Sequence, residues 1–338
     1  MDQEEHYRPV IALTGASGHI GQYLMTELQK NYHIIALSGR ADLHKDTEHV
    51  TWRACDFFSY DDVEEALRGA DYAIYISQFM YSSAKLTQGR SEDMDAILAG
   101  HFARAAQRNK MKKIIYICTL APAEIDNKDR SRHLRGRLEV EQILTSSGVP
   151  TVTFWIEPFG GPSTSPYSVK DVAKNLIKSD VRSVQRLCLP EGKNAKWILH
   201  YYTEWLSRIT KPFLRITRSE DQIVRILPRA IKVPMLELTY DQTKSSSSHA
   251  LYRITGGILV NRREVHKGRL EFLQLPNSRE CIVGIHDYVP SLPWFIYKYS
   301  QAAIHLWVMK AFDLHLKQLE PQAENWNPRD LPDPNKKN

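Results

Sequence analysis

Short apolar runs recur through the first half of the chain, at residues 10–14, 33–37, 49–54, 72–77, 113–118 and 151–155. Each has the length of a strand buried on both faces. Stretches of helical spacing separate them, at 20–31, 61–68, 93–109 and 132–147. In the first, Ile20, Leu24 and Leu28 recur every fourth residue and fall on one helix face. Asp61 and Asp62 mark a helix start, where acids meet the positive end of the helix dipole. Strand and helix alternating through short connections predict an α/β fold, a doubly wound parallel sheet covered by helices on both faces.

The alternation fades after Ile156. Residues 157–166, rich in Pro, Gly and Ser, read as a loop. Helices are expected around 169–178 and over 196–210. Strand-like runs follow at Gln222–Leu227, Met235–Tyr240, Leu251–Ile254, Leu270–Leu275 and Cys281–His286. Leu292–Leu319 reads as one long helix or two, with Ile296, Tyr299, Ala303, Leu306 and Met309 as its core face. The pattern predicts a first domain over 1–180 and a smaller α+β domain over 181–320, whose sheet starts near 210. A polar, proline-rich tail over 321–338 is expected to be disordered.

The chemistry concentrates behind the first strand. Thr14-Gly15-Ala16-Ser17-Gly18-His19-Ile20-Gly21 is a T-G-x-x-G-x-x-G run between an apolar strand and a helix. That layout cradles a dinucleotide pyrophosphate. Gly15 permits a tight turn, Gly18 lets backbone approach phosphate, and Gly21 lets the helix pack on the strand. A helix opening near His19 or Ile20 aims its N–H groups at the phosphates. The second strand ends Ser38-Gly39-Arg40 with no acid. An Asp or Glu there would bind a ribose 2′-hydroxyl, whereas a guanidinium suits a 2′-phosphate. Ser38 and Arg40 therefore predict NADP(H) over NAD(H).

The first 180 residues resemble the short-chain dehydrogenase/reductase superfamily, in its extended and atypical branch. The glycine run, Asp56 behind the third strand, Ile114–Thr119 and His133–Arg137 carry the likeness, with Pro166–Ala173 resembling the stretch behind the family's substrate loop. The nearest likeness is to the branch holding the NmrA-like proteins and the complex I accessory NAD(P)-binding subunit. It implies a Rossmann fold and places Thr14, Ser17, His19, Ile20, Asp56, Phe57 and Ser77 among the cofactor-contacting positions with the three glycines. Asp56 would approach the adenine amino group; by its own sequence it also reads as a cap before the next helix. The region from Gly256 to Trp294 looks like an uncharacterised domain found behind this Rossmann type in bacterial proteins.

The departures bear on activity. Catalytic members carry a Tyr-x-x-x-Lys pair, in which the lysine lowers the phenol pKa for proton transfer. Here the spacing is kept as His133-x-x-x-Arg137. His133 could donate a proton or merely contact nucleotide, and Arg137 could hold a ribose hydroxyl or phosphate. Thr119 stands where members orient a substrate oxygen with a hydroxyl. Two functions follow as expectations: a nucleotide-dependent sensor or assembly factor without turnover, or a reductase or isomerase using Thr119, His133 and Arg137.

Bulk properties trim this picture. The net charge of +6 has loose clusters at Lys128–Arg137 and Arg208–Lys232 without a nucleic-acid motif, so no nucleic-acid partner is expected. A protein partner or an apolar small molecule is left open. The four cysteines, Cys55, Cys118, Cys188 and Cys281, form no C-x-x-C, no paired-histidine metal spacing occurs, and the acidic N-terminus lacks an apolar stretch. These features predict a reduced, cytoplasmic protein without a metal. Polar residues interrupt Leu292–Leu316, so it should not span a bilayer. Its aromatics read as core, with a peripheral membrane contact as the alternative.

Overall fold

A computed structural model describes residues 8–76, 84–119, 127–156, 178–261, 263 and 267–319. The chain divides into two compact units, Met1–Ser179 and Asp180–Asn338. The first opens with β1 (Val10–Leu13), α1 (His19–Leu28), β2 (His33–Ser38), β3 (Val50–Ala54) and α2 (Tyr60–Ala66). It continues with β4 (Tyr72–Ile76), β5 (Ala84–Gln88), α3 (Ser91–Arg108), β6 (Lys113–Thr119), α4 (Asn127–Ser146) and β7 (Thr151–Ile156). Six of these strands form a parallel sheet in the order β3-β2-β1-β4-β6-β7. The order reverses between β1 and β4, the switch point where such sheets open a ligand crevice at the carboxyl ends of their strands.

Strand alternation decides which helix covers which face. Ile74 and Ile76 join Ile11, Leu13, Ile34 and Ala36 in one buried cluster, against which Ile20, Leu24 and Leu28 of α1 pack. Tyr75 and Tyr116, one step out of phase, turn to the opposite face. There Tyr75 packs on Phe102 of α3 with ring centroids 4.8 Å apart. Complete burial of the Tyr75 phenol holds it well above its usual ionisation range.

The second unit contains β8 (Lys178–Cys188), α5 (Ala195–Ile209), β9 (Leu214–Arg218), β10 (Ile223–Pro228), β11 (Leu236–Tyr240) and β12 (His249–Gly256). It ends with β13 (Arg269–Gln274), β14 (Glu280–Tyr288), α6 (Trp294–Tyr299) and α7 (Gln301–Gln318). Its strands pair antiparallel in the order β8-β14-β13-β12-β11-β10-β9. Asn194 caps α5, its side chain accepting from the Trp197 N–H at 2.9 Å. Tyr202 of α5 packs on Phe272 of β13 and Phe312 of α7, and Tyr201 bonds His315 at 2.8 Å.

Three expectations for this unit change. Lys178–Cys188 is a strand, so the sheet begins well before 210. The strand hides from a hydrophobic scan because it buries polar side chains, with Arg182 only 1% exposed and Ser183 2%. β9, absent from the expected runs although Leu214 and Ile216 alternate with polar residues, forms the last strand in the order. The closing segment is two helices, one of the two forms expected, broken at Ser300, whose φ of −118° and ψ of −82° leave the helical region, and what changes is its core face. The break resets the helical phase. Tyr297, Ala302, Val308, Met309, Phe312 and Leu316 are buried, whereas Ile296, Tyr299 and Leu306 are exposed. Of the expected core face, Met309 is the buried member among these large side chains. Residues 157–177, which include the expected loop and most of the helix around 169–178, and the tail over 321–338 lie outside the described residues, as does Ser77.

Candidate nucleotide-binding site

The chain leaves β1 through Thr14, which is fully buried. Its hydroxyl accepts from the Ile76 N–H at 2.8 Å and donates to the Ile76 carbonyl at 3.4 Å. Thr14 thereby fastens the end of β1 to β4 at the switch point, and its hydroxyl faces backbone there. Gly15 follows with φ of +64°, a left-handed conformation that disfavours a side chain. The Gly18 N–H donates to the Gly15 carbonyl at 2.9 Å and closes the turn. Gly18 is the N-cap of α1 and has no side chain to cap it, and no acid lies in the first helical turn. The positive end of the helix dipole therefore meets no compensating charge from that turn. Ser17 and His19 are exposed beside it, and Ile20 anchors the helix in the core.

Gly21 fixes how close α1 comes. A Cβ there would lie 2.2 Å from the Gly15 carbonyl oxygen and 2.7 Å from the Ala16 Cα, both backbone atoms with no soft route of escape. Gly21→Ala is expected to destabilise the unit by about 3 kcal/mol and to weaken nucleotide binding by spreading the turn. Chemical denaturation alongside nucleotide titration checks this. A fully stable variant would show that helix and turn are not in this contact.

The neighbouring strand β2 ends in a second turn at the same edge of the sheet. The Ser38 hydroxyl accepts from the Arg40 N–H at 3.1 Å, and the Ser38 carbonyl accepts from Cys55 at 3.0 Å. Arg40 is half-buried, and among the described residues its guanidinium makes no ion pair. Asp42 sits exposed in a single 3-10 turn, Ala41–Leu43. The two turns together supply backbone donors, a helix N-terminus and one available guanidinium.

Other sequence-chosen residues have internal partners. The Asp56 carboxylate accepts from the Phe58 N–H at 3.1 Å and its carbonyl from Ser59 at 2.8 Å, which is the turn-capping arrangement ahead of α2. Phe57 is buried, and its carbonyl accepts from His101 Nδ1 at 3.1 Å. Thr119 ends β6 opposite Ile156.

The largest surprise lies on α4. His133 is half-buried, but Arg137 is only 4% exposed. Its Nη1 donates to Asp95 Oδ2 on α3 at 3.1 Å. Gly136 lets the two helices close; a Cβ there would meet Glu92 Cγ at 3.0 Å. Sequence reading missed Asp95. Its one available signal was that a guanidinium on an inward helix face requires a carboxylate partner. Around the pair, burial pushes the Cys118 thiol up to about 11, partly offset by the Arg137 charge. Burial also raises the Asp95 carboxyl to about 6, with Arg137 pulling the other way.

That shift has a definite sign. The native Asp95 holds its proton where the unfolded chain, titrating near 4, has released it. The associated stability is present below about pH 4 and is lost as pH rises towards 6, by up to about 3 kcal/mol. Asp95→Asn is expected to flatten the stability profile across that window, as read from urea midpoints at several pH values. An unchanged slope would place the titration elsewhere.

Comparison with known proteins bears on the glycine turn. Residues 15–152 match the NAD(P)H-binding family. The matched residues lie in the first unit, whose parallel sheet has the β3-β2-β1-β4-β6-β7 order of a Rossmann-type fold. Across 309 residues the chain is 28% identical to the Auxiliary protein GraX of Staphylococcus aureus (strain NCTC 8325 / PS 47), covering 91% of this chain and 93% of the relative. Similar solved structures include the Citrobacter sp. triphenylmethane reductase complexed with NADP(H), 22% identical over 42% of this chain and 48% of the other, with a TM-score of 0.34. They also include the Bordetella bronchiseptica enzyme WbmH in complex with NAD+, 17% identical over 47% and 59%, with a TM-score of 0.37. The chain thus aligns with about half the length of these structures. Among the described residues, no helix is long and apolar enough to cross a membrane, and no three His, Cys, Asp or Glu side chains group as metal ligands.

Proposed function

We propose that this protein binds NADP(H) as an auxiliary, nucleotide-dependent factor and does not turn it over. The Asp95–Arg137 ion pair carries this reading. In a reductase of the resembling kind, the position of Arg137 supplies the cation that activates a proton donor. Here that cation is committed to a carboxylate in the interior, and the residue four positions before it is a histidine. Arg137 acts in this account as a positioning residue that holds α3 against α4.

The cofactor fits the residues present. The left-handed Gly15 and the side-chain-free N-terminus of α1 form a cradle for the pyrophosphate, and Arg40 with Ser38 forms one for a 2′-phosphate. Bound NADPH would supply a hydride donor or a redox-sensitive ligand. The chain's own contribution is to hold its phosphates and to change shape or partner affinity with its state. The likeness to a protein named as auxiliary supports an accessory role. We extend this reading to a cytoplasmic location.

The test is turnover. Purified protein with NADPH is followed at the nicotinamide absorbance against carbonyl, quinone and imine acceptors. The expected result is binding without oxidation above the rate of free NADPH. Multiple turnovers that His133→Ala or Arg137→Lys alters would overturn the proposal in favour of a reductase with a non-standard proton donor.

A further inference from the structure

One end of the second unit gathers charge and exposed apolar side chains that nucleotide binding does not use. Between Arg208 and Val233 the chain carries seven basic and two acidic side chains, a net of +5 against +6 for the whole protein. Some of these charges are neutralised or occupied locally. Arg225 pairs with Glu237 at 2.7 Å, Arg208 pairs with Glu204, and Arg218 donates to the His200 carbonyl at 2.8 Å. Lys211, Arg215, Arg229 and Lys232 are exposed and, among the described residues, make no ion pair.

The backbone brings these four together. The Arg229 N–H donates to the Phe213 carbonyl at 2.9 Å, and Arg229 Nε donates to the Lys211 carbonyl at 2.6 Å. The turn before β9 therefore lies beside the loop after β10. A third turn joins them, since the Ile258 N–H donates to the Pro234 carbonyl at 3.0 Å. Each of the three bears an apolar side chain facing water. Phe213 is 77% exposed, Val233 50%, Ile231 49% and Ile258 48%.

We infer that this end docks on an anionic phospholipid bilayer. The geometry favours a bilayer over an acidic protein. Four apolar side chains are shared among three turns, Ile231 and Val233 flanking Lys232 on one of them, and cations sit among them, whereas the centre of a protein interface is depleted of charge. Separate side chains enter an acyl boundary independently, and the unpaired cations between them meet lipid phosphates. The charge complementarity is one-sided, with Glu220 and Asp221 confined to the β9–β10 turn at the other end of that hairpin.

The test is sedimentation of the full chain with vesicles of phosphatidylcholine alone, or of phosphatidylcholine and phosphatidylglycerol in equal parts. Binding is expected to the second only and to weaken with added salt. Phe213→Ser should weaken it about tenfold. The fourfold variant Lys211→Glu, Arg215→Glu, Arg229→Glu and Lys232→Glu should fall to the neutral-vesicle background, with a thermal melt to verify folding. A separate Phe213→Trp protein should show blue-shifted emission of that residue on anionic vesicles, measured against the parent chain. No sedimentation with anionic vesicles, retention by a folded fourfold variant, or an unshifted Phe213→Trp signal each overturns the inference. None of these readouts depends on whether the first unit binds nucleotide.

Discussion

An Arg137→Ala protein is expected to lose about 3–5 kcal/mol of stability, the largest loss foreseen for a single substitution here. The reason is the uncompensated charge rather than the missing bond. Asp95 would keep a carboxylate among apolar and phenolic neighbours without its guanidinium, and it would respond by holding its proton to a higher pH. Two further proteins separate this account from simple loss of packing. Asp95→Asn in the Arg137→Ala background should restore part of the loss, because no buried charge remains. Arg137→Met with Asp95→Leu should restore most of it, because hydrophobic replacement of a buried pair is often neutral. Denaturant midpoints for the set form a double-mutant cycle. Additive losses would show that the two side chains do not depend on each other.

Arg40→Asp should reverse the cofactor preference. A charge-assisted contact from a guanidinium to a 2′-phosphate contributes about 1.5–3 kcal/mol. Placing a carboxylate there removes it and adds repulsion, so NADPH affinity should fall at least about a hundredfold. The same carboxylate can accept from a 2′-hydroxyl, so NADH affinity should hold or rise. Equal losses for both dinucleotides would mean that Arg40 supports the turn rather than reading the ribose.

What could be read from the sequence was local. The glycine turn follows its strand within a few residues, and its conformation depends on backbone geometry that only certain residues allow, so Gly15 and Gly21 announce themselves. The parallel sheet was legible because its strands are mostly apolar and alternate with helical spacing through short connections. What escaped depends on distant partners. Asp95 lies 42 residues from Arg137 along the chain, and neither residue alone marks a buried pair. The bond from the Ile76 N–H to the Thr14 hydroxyl, across the sheet, was equally hidden, because Thr14 stands in the sequence only as a member of the glycine motif. β8 was missed because it buries an arginine and a serine, against the usual hydropathy signal. The core face of the last helix was misassigned because a single residue, Ser300, breaks its phase.

The measurement that bears most directly on the central claim is calorimetric titration of the nucleotide-stripped protein with NADPH, NADP+ and NADH, beside Arg40→Asp. The account predicts one site per chain, tighter for the 2′-phosphorylated dinucleotides, with that preference abolished by the substitution. No heat of binding from any of the three, in a protein shown to be folded, would contradict it and leave the glycine turn as a structural remnant.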